Sequence, residues 1–203
     1  MEHEEEKEVQ VTKTDKNSMG KTLLLYIHDL SYLIAIMMIV FLLIFRVVVV
    51  SGTSMENTLK NGDYLLLLSN VFYTDPEPGD VIVASKDSFE NGIPIVKRVI
   101  AVSGQTVRIE ASTGHVYVDN KLVEENYIYD DPYYSYDRDY EVTVGDGCIF
   151  VMGDHRRVSS DSRNSQIGLL DKREVLGKAI FLFLPGIDDL TQSRDFSRIK
   201  VLP

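Results

Sequence analysis

The fold of this chain is constrained most by an apolar segment near its N-terminus. Leu30–Phe45 is sixteen residues without a charged side chain, rich in isoleucine, leucine and methionine. Extended back through Thr22, the stretch exceeds 20 residues and is interrupted by His28 and Asp29. A helix needs about 20 apolar residues to cross a membrane. The sequence therefore predicts one transmembrane helix at residues 22–46.

A cleaved secretory signal is the alternative interpretation of this segment, because its uncharged core is short. The segment ends, however, in bulky side chains at residues 42–45, with no small-x-small cleavage pattern. A permanent anchor is therefore favoured. Lys13, Lys16 and Lys21 lie in the short arm before it, and such arms stay cytoplasmic. We therefore expect a plasma-membrane protein with its larger part on the extracytoplasmic face.

Composition limits the remaining possibilities. Residues 1–21 contain an acidic run and lysines but almost no apolar side chains, so we expect a disordered cytoplasmic arm. The formal net charge of −10 argues against a nucleic-acid partner. A single cysteine, Cys148, excludes an intrachain disulfide and any cysteine cluster for zinc, and we expect it in the core of a strand. We expect no cofactor and no metal.

Residues 47–203 are predicted to form a β-rich extracytoplasmic domain. Short apolar runs bounded by Gly, Pro, Asn and Asp are typical of strands, and the turn residues 112–114 predict a hairpin. The fold class is therefore mostly β with one N-terminal transmembrane helix. The predicted strands are Val47–Val50, Tyr64–Leu68, Asp80–Val83, Ile95–Val102, Thr106–Ile109, His115–Val118, Cys148–Met152 and Ala179–Leu184.

One segment of this domain differs in composition from the rest. Residues 124–141 hold six of the eleven tyrosines, placed among four aspartates. Tyrosine is favoured at the level of lipid headgroups, so the segment could rest on a membrane. The alternative is an exposed insertion with some tyrosines packed back on the domain. Acidic side chains suit anionic lipid poorly, so we favour the insertion.

A serine close to the predicted membrane helix is a candidate nucleophile. Ser54 lies nine residues beyond Phe45, so even an extended chain keeps it within roughly 30 Å of the helix end. A substrate that emerges from the same bilayer would require this proximity. A serine hydroxyl is a weak nucleophile and needs a base beside it. By itself, Ser54-Met55 also fits a turn residue beside a core methionine.

Lys97 is the candidate base. It lies in the apolar strand that begins at Ile95, and alternation places its side chain on the same face as Ile95 and Val99. A lysine can act as a base near neutral pH only if desolvation lowers its pKa by about 3 units from its usual value. An apolar strand supplies that desolvation. A lysine extending to solvent from an edge strand, with Arg98 as a surface charge, fits the segment equally well.

The polar stretch Met152–Arg163 follows a predicted strand directly. Its alternating charges predict two charge-assisted pairs that hold the loop, Asp161 with Arg163 and Asp154 with Arg156. Rigid loops on a β scaffold are where sites are positioned. A charged surface loop without a function is the alternative.

The same stretch also offers two hydroxyls, Ser159 and Ser160, either of which could orient the lysine amine and complete a triad.

Taken together, these segments resemble the bacterial type I signal peptidases (leader peptidases). The similarity runs in order from about residue 30 to about residue 185, and it is specific only as a joint match. The matching pieces are Ser54-Met55-x-x-Thr58-Leu59, Gly62-Asp63-Tyr64, Lys97-Arg98-Val99-Ile100 with Gly104, Val116-Tyr117-Val118 with Asn120-Lys121, Gly153-Asp154-x-Arg156-x-x-Ser159-x-Asp161-Ser162-Arg163, and Gly177-Lys178-Ala179.

The resemblance implies a serine endopeptidase with an antiparallel β-sheet peptidase domain whose apolar surface faces the membrane. It implies Ser54 as nucleophile, Lys97 as general base and Ser159 as the hydroxyl that holds the lysine amine. The Ser54 amide would donate to the oxyanion. The implied partners are membrane lipid and the signal peptides of exported preproteins, with small residues one and three positions before the cut. Met55 and Ile95 are expected to line shallow apolar pockets for them.

Three positions depart from the family pattern. The family usually has proline at Asn57, so the loop after Ser54 is expected to be less rigid. It usually has asparagine at His155, a position that the match assigns to loop structure instead of a Ser–His mechanism. Some members have a serine at Gly52 that assists the oxyanion hole, and oxyanion donors can change the rate by about 10²–10³.

Three alternatives of other kinds remain. A Ser–Lys autoprotease of the SOS-repressor type is disfavoured by the membrane segment and by the missing DNA-binding domain. A sortase-like transpeptidase would need Cys148 beside His and Arg partners, whereas Cys148 lies in a core-like strand. An inactive membrane-tethered β domain would bind a partner without cleaving it. Alanine substitutions of Ser54 and Lys97 distinguish this last possibility from an enzyme.

Overall fold

The structure is a computed structural model that describes residues 2–129, 139–188 and 191–203. The chain divides into two compact units, Met1–Leu43 and Ile44–Pro203. The boundary lies within three residues of the predicted junction between helix and β domain.

The N-terminal unit is a single helix, α1, which spans Glu2–Ile44. Its part Lys21–Ile44, 24 residues, is long and apolar enough to cross a membrane by length and composition. The helical backbone begins at Glu2, which differs from the disordered arm predicted for residues 1–21. Glutamate and lysine are good helix formers, and adding residues to an existing helix is much easier than nucleating one.

The second unit is built from twelve strands and three short 3-10 helices. The strands are β1 (Phe45–Val49), β2 (Tyr64–Ser69), β3 (Val81–Ala84), β4 (Ile95–Val102), β5 (Thr106–Ile109), β6 (Val116–Val118), β7 (Lys121–Leu122), β8 (Tyr140–Thr143), β9 (Cys148–Met152), β10 (Leu170–Asp171), β11 (Val175–Leu184) and β12 (Lys200–Val201). The 3-10 helices are Glu90–Gly92, Lys172–Glu174 and Phe196–Arg198.

The strands form two sheets, and every pairing among the described residues is antiparallel. The larger sheet has the order β1-β2-β11-β3-β4-β9-β10, with β12 also paired to β11. The smaller has the order β7-β6-β5-β8. The mostly β, antiparallel fold class is confirmed. Each of the eight predicted strands is present, although β1 begins at Phe45 and takes Phe45 and Arg46 from the predicted helix.

Phe45 and Arg46 were predicted to end the helix but belong to β1, because pairing with β2 stabilises their extended conformation. Phe45 pairs with Leu68 and Arg46 with Leu67 of β2. The three valines that follow Arg46 are β-branched and favour extended backbone. The chain therefore leaves the helix at Ile44 and enters the sheet directly.

An apolar cluster beneath the larger sheet anchors the loop that carries Ser54. Met55 and Leu59 are buried there against Leu65 of β2 and Leu182 of β11. At about 25 cal/mol per Å² of buried apolar surface, each such side chain contributes roughly 2 kcal/mol. Burial of Met55 and Leu59, two residues of the loop itself, therefore anchors the Ser54 loop to the domain core.

The C-terminal residues close the same cluster. Leu202 is buried in it, one residue after β12. Arg198 donates hydrogen bonds of 2.9 and 2.6 Å to the two carboxylate oxygens of the buried Asp63, just before β2. Asp63 also accepts from the backbone amides of Lys60 and Gly186. A fully satisfied buried carboxylate thus fixes the end of the Ser54 loop.

The smaller sheet contains the predicted hairpin, whereas Cys148 of the larger sheet is less buried than the core position expected for it. Strands β5 and β6 pair antiparallel, so residues 112–114 are the predicted hairpin connection. Cys148 lies at the start of β9, partly buried against the cluster that this sheet covers. Of the tyrosine-rich segment, residues 130–138 lie outside the described residues, and Tyr140 belongs to β8.

Candidate active site

Ser54 lies on a tight turn between the sheet and its buried anchor. The amide of Glu56 donates to the Thr53 carbonyl at 3.0 Å, and the amide of Leu59 donates to the Met55 carbonyl at 2.8 Å. Before the turn, Gly52 has a φ of +90°, and its amide donates to the Asn61 side chain at 3.0 Å. The left-handed backbone at Gly52 favours glycine over the serine of some family members.

Lys97 comes to Ser54 from the middle of β4. Its Nζ lies 2.7 Å from the Ser54 Oγ, a hydrogen-bond distance. Strand β4 lies between β3 and β9, and Lys97 pairs with Ile82. Lys97 is only 4% exposed. The edge-strand alternative for this lysine is therefore wrong, because neighbours on both sides of β4 enclose it.

The turn after β9 packs directly on the Ser54 loop. The amide of His155 donates to the Ser54 carbonyl at 3.0 Å. A side-chain Cβ at Gly153 would overlap that same carbonyl oxygen and the Ser159 hydroxyl. Only glycine allows the two loops this close approach, so Gly153 sets the distance between the Ser54 loop and the polar stretch that follows β9.

Asp161 and Arg163 form the predicted pair. Arg163 donates from Nε and Nη2 to the carboxylate of Asp161, each at 2.7 Å, and the Gly153 amide donates to the same carboxylate at 3.0 Å. Burial alone would raise the pKa of Asp161. The hydrogen bonds and charge of Arg163, with the Gly153 amide, outweigh it, so this pKa lies below its ordinary value. The pair thereby fixes the turn at Gly153.

The Ser159 side chain also lies beside Gly153. Its Oγ is buried and close enough to Asp161 to help lower the pKa of that carboxyl, but among the described residues it makes no well-formed hydrogen bond. A buried hydroxyl without a well-formed hydrogen bond is uncommon in proteins. Its role in holding the Lys97 amine stays a prediction.

The predicted pair of Asp154 with Arg156 is wrong. Asp154 instead accepts two hydrogen bonds from Arg98, at 2.8 and 2.7 Å. The Thr58 hydroxyl donates to it as well, at 2.5 Å. Arg98 and Asp154 are both buried, so Arg98 is not a surface charge. A bidentate pair between Arg98 of β4 and Asp154 in the turn after β9 satisfies the buried carboxylate better than a neighbour two residues away in the same turn.

Arg156 has its own distant partner. It donates to the two carboxylate oxygens of Glu125, at 3.0 and 2.5 Å, and from Nε to the Gly153 carbonyl at 3.0 Å. Neither partner was identified from the sequence, because Glu125 lies 31 residues away in the tyrosine-rich segment. Part of this segment does pack back on the domain, as the favoured interpretation expected.

The other predicted site residues lie around this centre. Met55 is buried in the cluster below the loop, and Ile95 is partly buried at the start of β4. Their expected role in binding substrate stays a prediction. His155 has its Nδ1 3.1 Å from a carboxylate oxygen of Glu56. Its backbone amide, as described above, holds the Ser54 loop.

A serine hydroxyl held against a buried lysine amine on a rigid β scaffold is typical of a serine hydrolase. Comparisons with known proteins narrow this class. The family model described as signal peptidase, peptidase S26, matches residues 23–184. The chain therefore belongs to the signal peptidase family, and it is a serine peptidase.

Individual relatives give the extent of the similarity. A signal peptidase I of Bacillus licheniformis is 35% identical over 156 residues, 70% of this chain and 78% of that protein. A probable signal peptidase I of Synechocystis is 36% identical over 143 residues, 67% and 69% of the two chains. The crystal structure of a signal peptidase I from Enterococcus faecalis matches with a TM-score of 0.43 at 27% identity, over 51% of this chain and 96% of that one.

Proposed function

We propose that this peptidase removes N-terminal signal peptides from exported preproteins, with Ser54 as nucleophile and Lys97 as general base. The observation that carries the proposal is the 2.7 Å separation between the Lys97 Nζ and the Ser54 Oγ. At this distance a neutral amine accepts the hydroxyl proton without further movement.

Burial makes Lys97 suitable as a base. Removing an ammonium from water disfavours its charged form, and Lys97 is only 4% exposed. The neighbours Ile82 across the strand pair and Val99 two residues along β4 are fully buried. An unprotonated amine beside a serine hydroxyl is what a nucleophilic attack near neutral pH requires.

Acylation moves one proton and exchanges one bond. As the Ser54 Oγ attacks the scissile carbonyl carbon, its proton passes to the Lys97 amine. The tetrahedral intermediate then collapses, and the carbon–nitrogen bond breaks. The Lys97 ammonium gives its proton to the leaving amine. The signal peptide remains as an ester on Ser54, and Lys97 is neutral again.

Deacylation repeats the sequence with water. Neutral Lys97 takes a proton from a water molecule that attacks the ester carbon. When the intermediate collapses, the carbon–oxygen bond to Ser54 breaks, and the Lys97 ammonium returns a proton to the serine oxygen. The signal peptide leaves as a carboxylic acid, and the dyad is restored.

The backbone at Ser54 supports stabilisation of the oxyanion. Among the described residues, the Ser54 amide donates to no protein group, so it is free to donate to a developing oxyanion. Gly52 supplies no side-chain donor. Ser159 supplies a buried hydroxyl beside Gly153, and we assign it the orientation of the Lys97 amine.

The membrane segment supports the choice of substrate. We propose that Lys21–Ile44 anchors the protein in the plasma membrane, with its N-terminus in the cytoplasm and residues 47–203 outside. A signal peptide whose apolar stretch stays in the same bilayer is then confined near the enzyme, which raises its effective concentration. Met55 and Ile95 would shape apolar pockets for the small residues before the cut.

The test uses the full chain in detergent micelles or liposomes with a purified preprotein. Cleavage is followed by gel shift, and the new N-terminus is sequenced. Ser54→Ala and Lys97→Ala are each expected to abolish cleavage. Matched controls are Ser51→Ala and Lys121→Ala, because both residues are exposed. Both controls should cleave like the wild-type protein.

Two outcomes would contradict the proposal. If Lys97→Ala cleaves normally while Ser54→Ala does not, the base is another group. If both variants cleave like the wild type, or if the wild-type protein cleaves no preprotein, the proposed function is wrong.

A further inference from the structure

The described part of the tyrosine-rich segment contacts the loops around the candidate dyad at several points. We name Glu125–Tyr129 the site strap. We propose that the site strap positions the catalytic dyad, with Tyr127 as its central positioning residue, and this inference rests on the proposed function above. The site strap lies outside the motifs that carried the resemblance.

The first contact joins the site strap to the turn after β9. Glu125 and Arg156 form a two-point ion pair, and their side chains are 9% and 4% exposed. Burial alone would lower the pKa of Arg156, but the hydrogen bonds and charge of Glu125 outweigh it and raise the pKa. Arg156 therefore stays charged, and its Nε holds the Gly153 carbonyl at 3.0 Å. Gly153 is the residue of this turn at which a Cβ would overlap the Ser54 carbonyl oxygen.

The second contact places an aromatic ring against the residue that follows Lys97. The Arg98 guanidinium lies 4.0 Å from the centre of the Tyr127 ring. Its other groups bind the Asp154 carboxylate and, at 2.8 Å, the Gly79 carbonyl. A guanidinium over a desolvated ring is attracted by the ring's negative face. Tyr127 thus fixes Arg98, and with it the backbone of β4 next to Lys97.

Tyr127 is itself kept neutral and oriented. Burial, and after it the negative charge of Glu125, raises the pKa of the Tyr127 phenol. The hydroxyl donates to the Glu125 carboxylate at 3.2 Å. The first two contacts are therefore linked to each other within the site strap.

The third contact reaches the Ser54 loop. The Asn57 side chain donates to the carbonyls of Tyr127 and Ile128, at 3.3 and 3.4 Å. At the end of the site strap, the Tyr129 amide donates to the Asp154 carbonyl at 3.0 Å. One short segment thus holds the Ser54 loop, β4 beside Lys97 and the turn after β9.

The central variant is Tyr127→Leu, which keeps an apolar side chain but removes the ring. Misplacing reacting groups by about 1 Å can lower a rate by about 100-fold. We expect kcat for preprotein cleavage to fall at least about tenfold, with KM changed less than about twofold. Tyr127→Phe keeps the ring and is expected to restore kcat to within about threefold of wild type.

The smaller sheet offers a matched control. Arg108 lies over the Tyr117 ring at 4.0 Å, the same separation as in the site strap. Tyr117→Leu removes a cation–π contact of the same separation, between partly buried residues, from a sheet that carries none of the proposed catalytic residues. It is expected to lower the thermal midpoint in the same range as Tyr127→Leu and to leave kcat at the wild-type value.

A second measurement tests the role of the site strap without depending on which substrate the enzyme cleaves. Acylation of Ser54 by p-nitrophenyl acetate, corrected for the rate of Ser54→Ala, reports the dyad alone. Tyr127→Leu should slow it at least about tenfold. If wild type cleaves no preprotein, the proposed function fails, and the acylation rates still decide about the site strap. If Tyr127→Leu acylates and cleaves like Tyr117→Leu, the site strap has no positioning role.

Tyr127→Leu could fail to fold, and Glu125→Gln then decides. Glutamine keeps the size of the side chain and two hydrogen-bonding atoms but removes the charge opposite Arg156. We expect acylation to slow at least about threefold with an unchanged KM for the preprotein. An unchanged acylation rate for a folded Glu125→Gln protein would overturn the proposal.

Discussion

Gly153 touches the Ser54 loop at a point where no other residue fits. A Cβ at Gly153 would overlap the carbonyl oxygen of Ser54 and the hydroxyl of Ser159. The neighbouring amide of His155 donates to the same Ser54 carbonyl. The position of the candidate nucleophile therefore depends on the absence of a side chain in a different loop.

The first prediction follows from this contact. Gly153→Ala must push the turn after β9 away from the Ser54 loop, because the obstructing Ser54 atom is backbone. We expect kcat/KM for preprotein cleavage to fall by about 100-fold. Gly145→Ala is the matched control, since a Cβ at Gly145 meets nothing within 4 Å. Equal activity of the two variants would show that the loops do not meet as described.

The second prediction concerns the pH dependence of cleavage. Below the pKa of Lys97 the amine is protonated and cannot accept the Ser54 proton, so kcat/KM should fall about tenfold per pH unit on the acid side. The measurement is a pH profile from pH 5 to 10. Lys97→Arg should be inactive throughout, because a guanidinium stays charged at every pH in this range. Wild-type activity that is constant down to pH 5 would exclude a lysine base.

The local pattern of apolar and turn residues was enough to predict the strands that are marked by their own sequence. Strands β4, β5 and β9 begin and end at the predicted residues, because each is an apolar run bounded by turn residues. Lys97 stood out for the same reason, as a charge within such a run. Its pairing with Ser54 was proposed from the chemistry of the two side chains and supported by the resemblance, since strand alternation alone does not say which loop faces it.

The remaining features depend on contacts between distant residues. Strands β7, β10 and β12 have two residues each and exist only because a longer strand lies beside them. Strand β11 begins at Val175, before the predicted Ala179, because Gly177 allows a close approach to the backbone of Leu68. The sequence predicted Arg156 as the partner of Asp154, because Arg156 is only two residues away. Arg98, 56 residues away in the sequence, binds Asp154 instead.

The third prediction concerns the stability of the buried pair of Arg98 and Asp154. Asp154→Asn leaves the Arg98 guanidinium buried without its counter-charge, which typically costs about 3 kcal/mol. Urea unfolding of the full chain in micelles measures this, followed by near-ultraviolet circular dichroism of tyrosine because the chain has no tryptophan. Arg173→Gln breaks a surface pair with Asp171, in which the Arg173 side chain is 90% exposed, and should change little. Equal effects would contradict the buried pairing.

The fourth prediction concerns stability in acid. The pKa of Asp161 lies below its ordinary value in the folded protein, so the ionised carboxylate stabilises the fold. This contribution is complete above the unfolded pKa of about 4 and is lost as the pH falls through the lower folded value. The free energy of unfolding should therefore differ most between wild type and Asp161→Asn at neutral pH. The difference should shrink below pH 4, and a constant difference would contradict the shift.

The fifth prediction separates this chain from the family pattern at Asn57. The φ of Asn57 is +80°, whereas the proline usual in the family fixes φ near −65°. Asn57→Pro should therefore destabilise the loop by more than about 1 kcal/mol and lower kcat at least about tenfold. Asn57→Gly keeps the left-handed backbone at no steric cost and loses only the two hydrogen bonds to the site strap, so its kcat should lie between those of Asn57→Pro and wild type. Asn120→Gly, at a φ of +63° in the smaller sheet, is the control for adding a glycine. If Asn57→Pro cleaved as fast as the wild type, the Ser54 loop would have the family's backbone and the contact with the site strap would be absent.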